Sequence, residues 1–427
     1  DIEVAVARIK AAIDGGETVL VYGDYDVDGV TASTIMCEAL KLAGVKRVEV
    51  MLPDRFIDGY GMSERCLEKA VELRVGLVVT VDCGSNNAEV IQKLAEHKID
   101  TVVTDHHELM NGVPERAFAV VNPKRYREKE ADLEKRELRE ICGAGVAFMV
   151  MQALVLEGLI PQNQEKWFLD LVLIGTICDS MVMNQINREL AYFGLIILQK
   201  TKRVGLLELM RVAGVQKIDS ETIGFQIGPR LNAGGRMESA EISLKLLMSK
   251  ERAEAVMLAE ELNRLNGERR TAQRVALEEI LVDEKPVIVA AGNWHEGVLG
   301  IIAGRLVEKY RRPAFVLGET EGIYKGSGRS FGDFNLAEAI KAVNETLIGG
   351  GGHAAACGVK LKKEDLELEA KVSYAIGKEK CWTGEEIKGE RFFPGWLYDE
   401  KEEYIQKAYS GLKAIGQNPI ITYYNFC

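Results

Sequence analysis

The N-terminal part of the chain alternates short apolar runs with segments of helical periodicity. Five runs have the length and composition of buried strands: Thr18 to Tyr22, Val48 to Leu52, Leu77 to Val81, Thr101 to Thr104 and Ala117 to Val121. Strands that alternate with helices form parallel sheets covered by helices on both faces. The pattern therefore predicts a doubly wound α/β domain, in which ligands bind at the carboxyl ends of the strands.

The rest of the chain predicts helices followed by a second, smaller α/β domain. Residues 143–250 are largely helical in pattern, with breaks near 158–163, 184–187 and 228–235, and the charged run 126–140 reads as a solvated helix or loop. We assign residues 1–250 to a catalytic domain, with its sheet core over 15–125 and its helical part over 143–250. A connecting helix is expected over 251–283, a substrate-binding domain over 284–378 and an unplaced tail over 379–427.

Composition excludes several classes of protein. No apolar run reaches the roughly 18 residues that span a bilayer, and the eight cysteines form no Cys-x-x-Cys pair. Reduced thiols and the absence of a leader sequence indicate a cytoplasmic protein with no membrane partner. The net charge of −11 is opposite to that of a protein that binds nucleic acid through its overall field. Any site for a polyanion must therefore be local, such as one built around a metal ion.

Carboxylates and histidines follow three of the predicted strands directly, and one more acid ends an apolar helix: Asp24, Asp26, Asp28, Asp82, Asp105, His106, His107 and Asp179. Each has an ordinary alternative. The first cluster could be a calcium-type loop or a helix cap, although position 35, where a calcium-binding hand needs Glu, is Ile. Asp82 taken alone is more often a helix cap. Carboxylates and imidazole without thiolate suit two Mn²⁺ or Mg²⁺ ions that share a carboxylate.

Nine segments resemble, in order, the motifs of the DHH phosphoesterase superfamily, and specifically its RecJ-like single-strand nuclease branch. Five match the DHH domain: VYGDYDVDGVTAS (21–33), VDCGSNN (81–87), VVTDHHE (102–108), CGAGVAF (142–148) and GTICDSM (175–181). Four match the linker and the DHHA1 domain: IGPRLNAGGRM (227–237), WHEGVLGIIAGRL (294–306), GSGRS (326–330) and GGGGHAAACG (349–358). The resemblance implies a doubly wound parallel-sheet DHH domain, joined by a long helix to a smaller α/β DHHA1 domain.

The same resemblance implies roles for the acids and histidines. Asp26 and Asp28 match metal ligands, and Asp24 lies close to them. Asp82 matches a carboxylate that bridges two ions, and His106 and Asp179 match further ligands. Asp105 and His107 complete the triad that names the family, so the expected catalytic set is Asp82, Asp105, His106 and His107.

Residues of the later motifs are expected to hold the phosphates of the substrate. Glycines without a Cβ let backbone N–H groups approach a phosphate, and arginines bind it through two hydrogen bonds. The expected set is Arg230, Asn232, Arg236, His295, Ser327, Arg329, Gly351, Gly352 and His353. The alternatives are structural salt bridges for the arginines, a helix cap for His295 and a simple turn for the glycine run.

The resulting hypothesis is a metal-dependent exonuclease that hydrolyses single-stranded DNA, from the 5′ end with release of mononucleotides, through water activated by two metal ions. The 5′ polarity rests on the resemblance alone. DNA repair or replication proteins are the expected protein partners. Two alternatives stay open: a phosphoesterase for short oligonucleotides or cyclic dinucleotides, and a non-catalytic replication scaffold.

Overall fold

The computed structural model describes residues 1–126, 131–343 and 347–366. The chain divides into two compact units, the first being Asp1–Asn266 and the second beginning at Gly267. Within the described ranges, no helix combines the length and the apolar character needed to cross a membrane. The unplaced tail 379–427 and the end of the second predicted domain lie outside the described residues.

The first unit is built on a five-stranded sheet whose strands are all parallel. The strands are β1 Thr18–Tyr22, β2 Arg47–Met51, β3 Val75–Val81, β4 Asp100–Thr104 and β5 Ala119–Val121. Their order across the sheet is β2-β1-β3-β4-β5. The parallel sheet expected from the five apolar runs is confirmed; β1 has the predicted bounds, and the bounds of the other strands differ from the predicted ones by one or two residues.

Helices cover both faces of this sheet. Those of the N-terminal half are α1 Ile2–Gly15, α2 Val27–Leu42, α3 Glu64–Glu72 and α4 Ala88–Glu96. Successive side chains of a strand point to opposite faces. Val19 and Val21 accordingly pack in one buried cluster with α1 and α2, whereas Leu20 and Tyr22 pack in another with α3 and α4. Burial on both faces is the reason that β1 is apolar throughout.

Within the described residues, eight further α-helices follow the sheet before residue 250. They are α5 Leu133–Leu138, α6 Gly143–Leu156, α7 Leu169–Cys178, α8 Gln185–Leu198, α9 Val204–Ala213, α10 Ser220–Thr222, α11 Gly228–Met237 and α12 Glu241–Met248. The helix α5 buries none of its residues, as expected for the charged run. The break at 158–163 separates α6 from α7, and the break near 184 is the start of α8, which Asn184 caps.

The prediction of a break at 228–235 is wrong, because this segment is the helix α11. A π-helical turn, Ile223–Ile227, leads into it, and Pro229 occupies the first turn, where a helix tolerates proline. A Cβ on Gly235 would lie 2.6 Å from the backbone oxygen of Tyr25. The glycine is thus needed for close packing, which outweighs its cost of about 1 kcal/mol in helix propensity.

The long helix α13 spans Arg252–Glu279 and ends before the predicted limit at 283. Its first half is amphipathic as expected and buries Ala255, Ala259, Leu262 and Leu265. The two units divide between Asn266 and Gly267, inside this helix.

The second unit contains a smaller mixed sheet. Its elements are β6 Ile288–Gly292, α14 Leu299–Tyr310, β7 Ala314–Thr320, β8 Ile323–Arg329, α15 Leu336–Ala342, β9 Gly349–Gly352 and β10 Ala356–Lys362. The strand order is β6-β7-β8-β10-β9, and of these pairs β6 and β7 are parallel. The smaller α/β domain is thereby confirmed. The glycine run forms the exposed edge strand β9.

Candidate metal centre

The first acidic cluster lies where β1 gives way to α2. Asp26 is the N-cap of α2, and its carboxylate accepts a hydrogen bond from the N–H of Gly29 at 3.0 Å. Asp28 lies in the first turn of the helix and is only 1% exposed. Its two oxygens accept hydrogen bonds from the N–H groups of Gly143 and Ala144, the latter at 2.9 Å. Asp28 is therefore held at the N-terminus of α6, where the helix dipole favours a negative charge.

Asp82 directly follows β3 and has an unusual backbone conformation. Its φ of +59° falls in the left-handed region, which residues other than glycine rarely occupy. The residue is 2% exposed, and its Oδ1 accepts no hydrogen bond although the Nε2 of His106 lies 3.0 Å away. Strain of this kind persists where the surrounding structure imposes it, which is frequent at functional sites.

The triad that follows β4 separates into two kinds of residue. Asp105 accepts hydrogen bonds from the backbone N–H groups of Ser85, His106 and His107, and its Oδ1 lies 2.8 Å from the Nδ1 of His107. His106 instead directs its Nε2 toward Asp82, and this atom also lies 3.8 Å from Asp28 and 3.6 Å from Asp179. Asp105 thus orients its neighbours, and His106 points into the acidic cluster.

The eight acids and histidines predicted from the sequence converge at one edge of the sheet. Asp179, the C-cap of α7, reaches the cluster from the helical segment. Three sets of donor atoms lie within 4.8 Å of one another: Asp82, His106 and His107; Asp28, His106 and Asp179; and Asp24, Asp26 and Asp82. His106 and Asp82 each belong to two of these sets.

Burial strongly disfavours the charges of this cluster. Burial, followed by the nearby Asp26, raises the pKa of Asp24 to about 7 and that of Asp28 to about 6. Burial and then Asp28 raise the pKa values of Asp82 and Asp179 well above their ordinary range. Burial lowers the pKa of His106 to about 3, so its imidazole is neutral. So many carboxylates in one buried place require a cation.

Different forces act on the second histidine. Burial lowers the pKa of His107, but the hydrogen bond with Asp105 and the negative charges around the ring together outweigh that effect and raise it to about 9. Burial alone would raise the pKa of Asp105, but the hydrogen bond and positive charge of His107, together with the backbone N–H of Ser85, bring it below the ordinary value. The two residues form an ion pair beside the acidic cluster.

The donor set fits hard divalent ions. The oxygens Asp24 Oδ1 and Asp82 Oδ1 are buried and accept no hydrogen bond. The neutral imidazole of His106 points its Nε2 at the carboxylates, and no thiolate belongs to the three donor sets. Carboxylate oxygens with imidazole are the ligands that Mn²⁺ and Mg²⁺ accept in proteins. The ions would satisfy the oxygens that the protein leaves without a partner.

The residues expected to hold the substrate are distributed over both units. In the first, α11 carries Arg230, Asn232 and Arg236. The guanidinium of Arg230 donates to the backbone oxygen of Gln226 at 2.8 Å and to the side chain of Asn263 at 3.0 Å. Both acceptors are neutral, so these hydrogen bonds hold the side chain in place without being the salt bridge of the structural alternative, and phosphate binding by Arg230 stays a prediction.

In the second unit, Ser327 and Arg329 lie on β8 next to the start of α14. A Cβ added to Gly300 would be 2.9 Å from the Nη2 of Arg329 and 3.3 Å from the Oγ of Ser327. The helix N-terminus, the guanidinium and the hydroxyl together have the chemistry of an anion site. His295 caps the turn before this helix, since its Nδ1 accepts from the N–H of Gly297 at 3.1 Å.

Gly351, Gly352 and His353 form the exposed end of β9 and the turn after it. Gly352 has a φ of +150°, and a Cβ there would lie 2.3 Å from the backbone oxygen of Ala356. Backbone conformation and close packing therefore explain why position 352 is a glycine. The phosphate contact expected from this exposed segment stays a prediction.

Three residues near the metal centre escape sequence reasoning. The guanidinium of Arg55 lies 4.0 Å from the ring centre of Tyr25, the residue between Asp24 and Asp26 in the sequence. It also donates to the backbone oxygen of Gly235 at 3.0 Å. The hydroxyl of Tyr60 lies 2.8 Å from the Nε2 of His107. Asn122, at the end of β5, contacts the loop of the triad. An isolated polar residue in a loop carries no periodic signal by which these contacts could be foreseen.

Two family models match the chain in order. The DHH family, N-terminal domain, matches residues 18–176, and the DHHA1 domain matches residues 284–373. Single-stranded-DNA-specific exonuclease RecJ of Bacillus subtilis is 38% identical over 377 residues, which cover 85% of this chain and 46% of the relative. The RecJ of Escherichia coli is 31% identical over 400 residues, covering 86% and 67% respectively. The chain thus spans about half the length of the Bacillus relative.

Solved structures of RecJ proteins are similar to this chain over most of its length. The crystal structure of exonuclease RecJ bound to manganese is similar with a TM-score of 0.77 and 32% identity, covering 88% of this chain and 94% of that one. RecJ of Thermus thermophilus in complex with Mn²⁺ is similar with a TM-score of 0.76 and 32% identity, covering 88% and 55%. By its matched domains, its fold and the acids gathered at the edge of its parallel sheet, the chain belongs to the RecJ family of DHH proteins.

Proposed function

We propose that the chain is a metal-dependent exonuclease that hydrolyses the phosphodiester bonds of single-stranded DNA. The observation that carries the proposal is the cluster of buried carboxylates around a neutral His106, with two oxygens that lack any hydrogen bond. Relatives named single-stranded-DNA-specific exonucleases, at 30% identity and above, support the choice of substrate.

The proposed ligands divide between two metal positions. Asp24, Asp26 and Asp82 form one set of donors, and Asp28, His106 and Asp179 form the other. Asp82 belongs to the first set, and its Oδ1 lies 3.0 Å from the Nε2 of His106, which belongs to the second. Asp82 is therefore the residue best placed to join the two sets. Two bound divalent ions, Mn²⁺ or Mg²⁺, would lower the pKa of a water molecule and neutralise charge on the phosphate oxygens.

The remaining residues of the triad would act on the substrate through hydrogen bonds. Asp105 holds the Nδ1 side of the His107 ring, which leaves the Nε2 side facing Tyr60. In the metal-free chain the pKa of His107 is raised to about 9, because its hydrogen bond and the negative charges around it together outweigh burial, and we propose that the ring keeps this proton when the substrate binds. Its Nε2–H can donate to a phosphate oxygen where the Tyr60 hydroxyl now lies, and so stabilise the charge that develops there.

The proposed 5′ polarity requires a second site that recognises a terminal phosphate. Ser327 and Arg329, beside the N-terminus of α14, have the chemistry for it. Gly351, Gly352 and His353 would contribute further phosphate contacts from the sheet edge, and Arg230, Asn232 and Arg236 would contact the strand from α11.

The test is digestion of one oligonucleotide in the presence of Mn²⁺, labelled at its 5′ or its 3′ end, single-stranded or duplex. We expect immediate release of mononucleotide from the 5′ label, on single strands alone, and none with Asp82→Ala. Cleavage of a circular single strand as fast as a linear one would contradict the exonuclease assignment. Activity confined to fragments of a few nucleotides would identify a short-oligonucleotide phosphoesterase, and no cleavage with no Mn²⁺ binding would identify a scaffold.

The setting of this activity follows from the substrate. DNA repair or replication proteins that expose single strands are the proposed partners. A cytoplasmic location fits the cysteines, since within the described residues all six are free thiols and five of these are buried.

A further inference from the structure

Asn122 is a buried polar residue that joins three loops at the metal edge of the sheet. It directly follows β5 and is 5% exposed. Its Nδ2 donates to the Oγ of Ser85 at 2.8 Å and to the backbone oxygen of His107 at 2.9 Å. Its Oδ1 accepts from the N–H of Lys124 at 2.8 Å. The side-chain amide is thus engaged through both hydrogens and its oxygen.

This orientation of the amide is the only favourable one. An exchange of the nitrogen and oxygen would place a carbonyl oxygen against the backbone oxygen of His107, and an N–H₂ group against the N–H of Lys124. Asn122 therefore acts as a directed donor toward the loop of the triad.

The contacts of Asn122 begin where the backbone pairing of the sheet ends. The last backbone bonds at this edge run from the N–H of Asp82 to Thr104 and from the N–H of Asp105 to Val121. Beyond them, side chains connect the loops: Ser85 donates through its N–H to Asp105, and Asn122 donates to Ser85 and His107. One of these loops carries Asp82, and the other carries His106.

We propose that Asn122 is a positioning residue, which holds the Asp82 loop and the His106 loop in the register that the metal ions require. The inference rests on the proposed function, since it assigns to Asn122 the geometry of that site. Asp82 and His106 face each other across 3.0 Å, and metal–ligand distances tolerate only a few tenths of an ångström. A polar group behind the ligands acts on metal affinity through such positioning.

The alternative is that Asn122 stabilises the fold alone. Asn187 provides a matched control, because it is 1% exposed and its Nδ2 also donates to two backbone oxygens, those of Glu140 and Val182. Neither of these belongs to a proposed ligand. A purely structural role predicts that the same substitution at either position lowers stability and leaves Mn²⁺ affinity unchanged.

The experiment compares Asn122→Asp with Asn187→Asp in the full chain. Aspartate keeps the shape of asparagine and the acceptor for Lys124, but it sets a negative oxygen against that of His107. Mn²⁺ binding is measured by calorimetry, and cleavage is measured over a range of Mn²⁺ concentrations. We expect Asn122→Asp to weaken Mn²⁺ binding about tenfold, the lower end of the effect of residues behind metal ligands. Excess Mn²⁺ should restore the cleavage rate, and Asn187→Asp should bind Mn²⁺ normally.

Ser85→Ala is the second variant, in case the buried charge prevents folding. It removes one partner of Asn122 without introducing a charge, and it should weaken Mn²⁺ binding in the same direction by a smaller factor. The inference is overturned if folded Asn122→Asp binds Mn²⁺ with wild-type affinity, or if Asn187→Asp loses as much affinity as Asn122→Asp. If Asn122→Asp does not fold, wild-type Mn²⁺ affinity in Ser85→Ala overturns it. Absence of Mn²⁺ binding by the wild-type chain would instead refute the proposed function.

Discussion

Gly143 is the position at which a single methyl group should damage the metal centre most directly. It is the first residue of α6, and its N–H donates to Asp28. A Cβ at this position would lie 2.5 Å from the Cβ of Asp82, 2.6 Å from its Oδ1 and 2.7 Å from its Cγ. Gly143→Ala therefore perturbs two proposed ligands at once, Asp28 in the first turn of α2 and Asp82 in the loop after β3.

The size of the effect follows from these distances. Ordinary contacts between such atoms begin near 3.4 Å, so the Asp82 side chain or the start of α6 must move by about 1 Å. Overpacking of this kind costs about 1–3 kcal/mol, and replacement of glycine by alanine in a helix returns at most about 1 kcal/mol. We expect a net loss of about 0–3 kcal/mol in the free energy of unfolding. Because ligand distances tolerate only about 0.2 Å, Mn²⁺ affinity should fall by a factor of about 10–100.

The assay is calorimetric titration of Mn²⁺ together with denaturant unfolding of the metal-free chain. Gly267→Ala and Gly304→Ala are matched controls, since both glycines lie in helices and a Cβ on either would meet no atom within 4 Å. Each control should gain about 0.5–1 kcal/mol in stability and bind Mn²⁺ normally. Wild-type Mn²⁺ affinity in Gly143→Ala would refute the reasoning, because Asp82 would then not be a ligand in the position described.

Three further predictions concern the metal and the substrate. Mn²⁺ at about 100 times its dissociation constant should raise the free energy of unfolding by about 2.7 kcal/mol, a gain that Asp82→Ala should lose; equal gains in both chains would contradict the assignment. The metal-free chain should lose stability as pH rises from about 4 to 7, because burial raises the pKa of folded Asp24 to about 7 and that of Asp28 to about 6. Denaturant unfolding in a chelator over this pH range tests it, and a free energy of unfolding that does not change with pH would contradict it. Arg329→Ala should weaken binding of a 5′-phosphorylated oligonucleotide about tenfold in a fluorescence titration and leave Mn²⁺ affinity unchanged, and a loss of Mn²⁺ binding would show that its role is not phosphate recognition.

Much of the first unit is predictable from the sequence because its signals are local or follow from topology. The apolar runs identify the strands, and the alternation with helices makes them parallel. Parallel strands end at one edge, so the acids after β1, β3 and β4 must converge there. Asp179 is found for a related reason, since an acid at the C-terminus of an apolar helix needs a compensating charge.

Local rules failed where packing decides. The segment 228–235 contains the residues of a helix break, yet it is helical because Gly235 lets α11 approach the backbone of Tyr25. Glycine and proline in a sequence indicate a low intrinsic helix propensity, but they do not show whether tertiary packing against the segment compensates for it.

The sequence by itself determined the strands, their parallel arrangement and the identity of the acids and histidines at the sheet edge, because these depend on periodicity and on the direction of the chain. Only the tertiary structure decided how those residues are held. The amides of α6 that bind Asp28 come from residues 115 and 116 positions away, and the contact from Arg55 to Gly235 spans 180 positions. Such pairs are created when separate helices and loops pack together, and neither partner carries a local pattern that names the other.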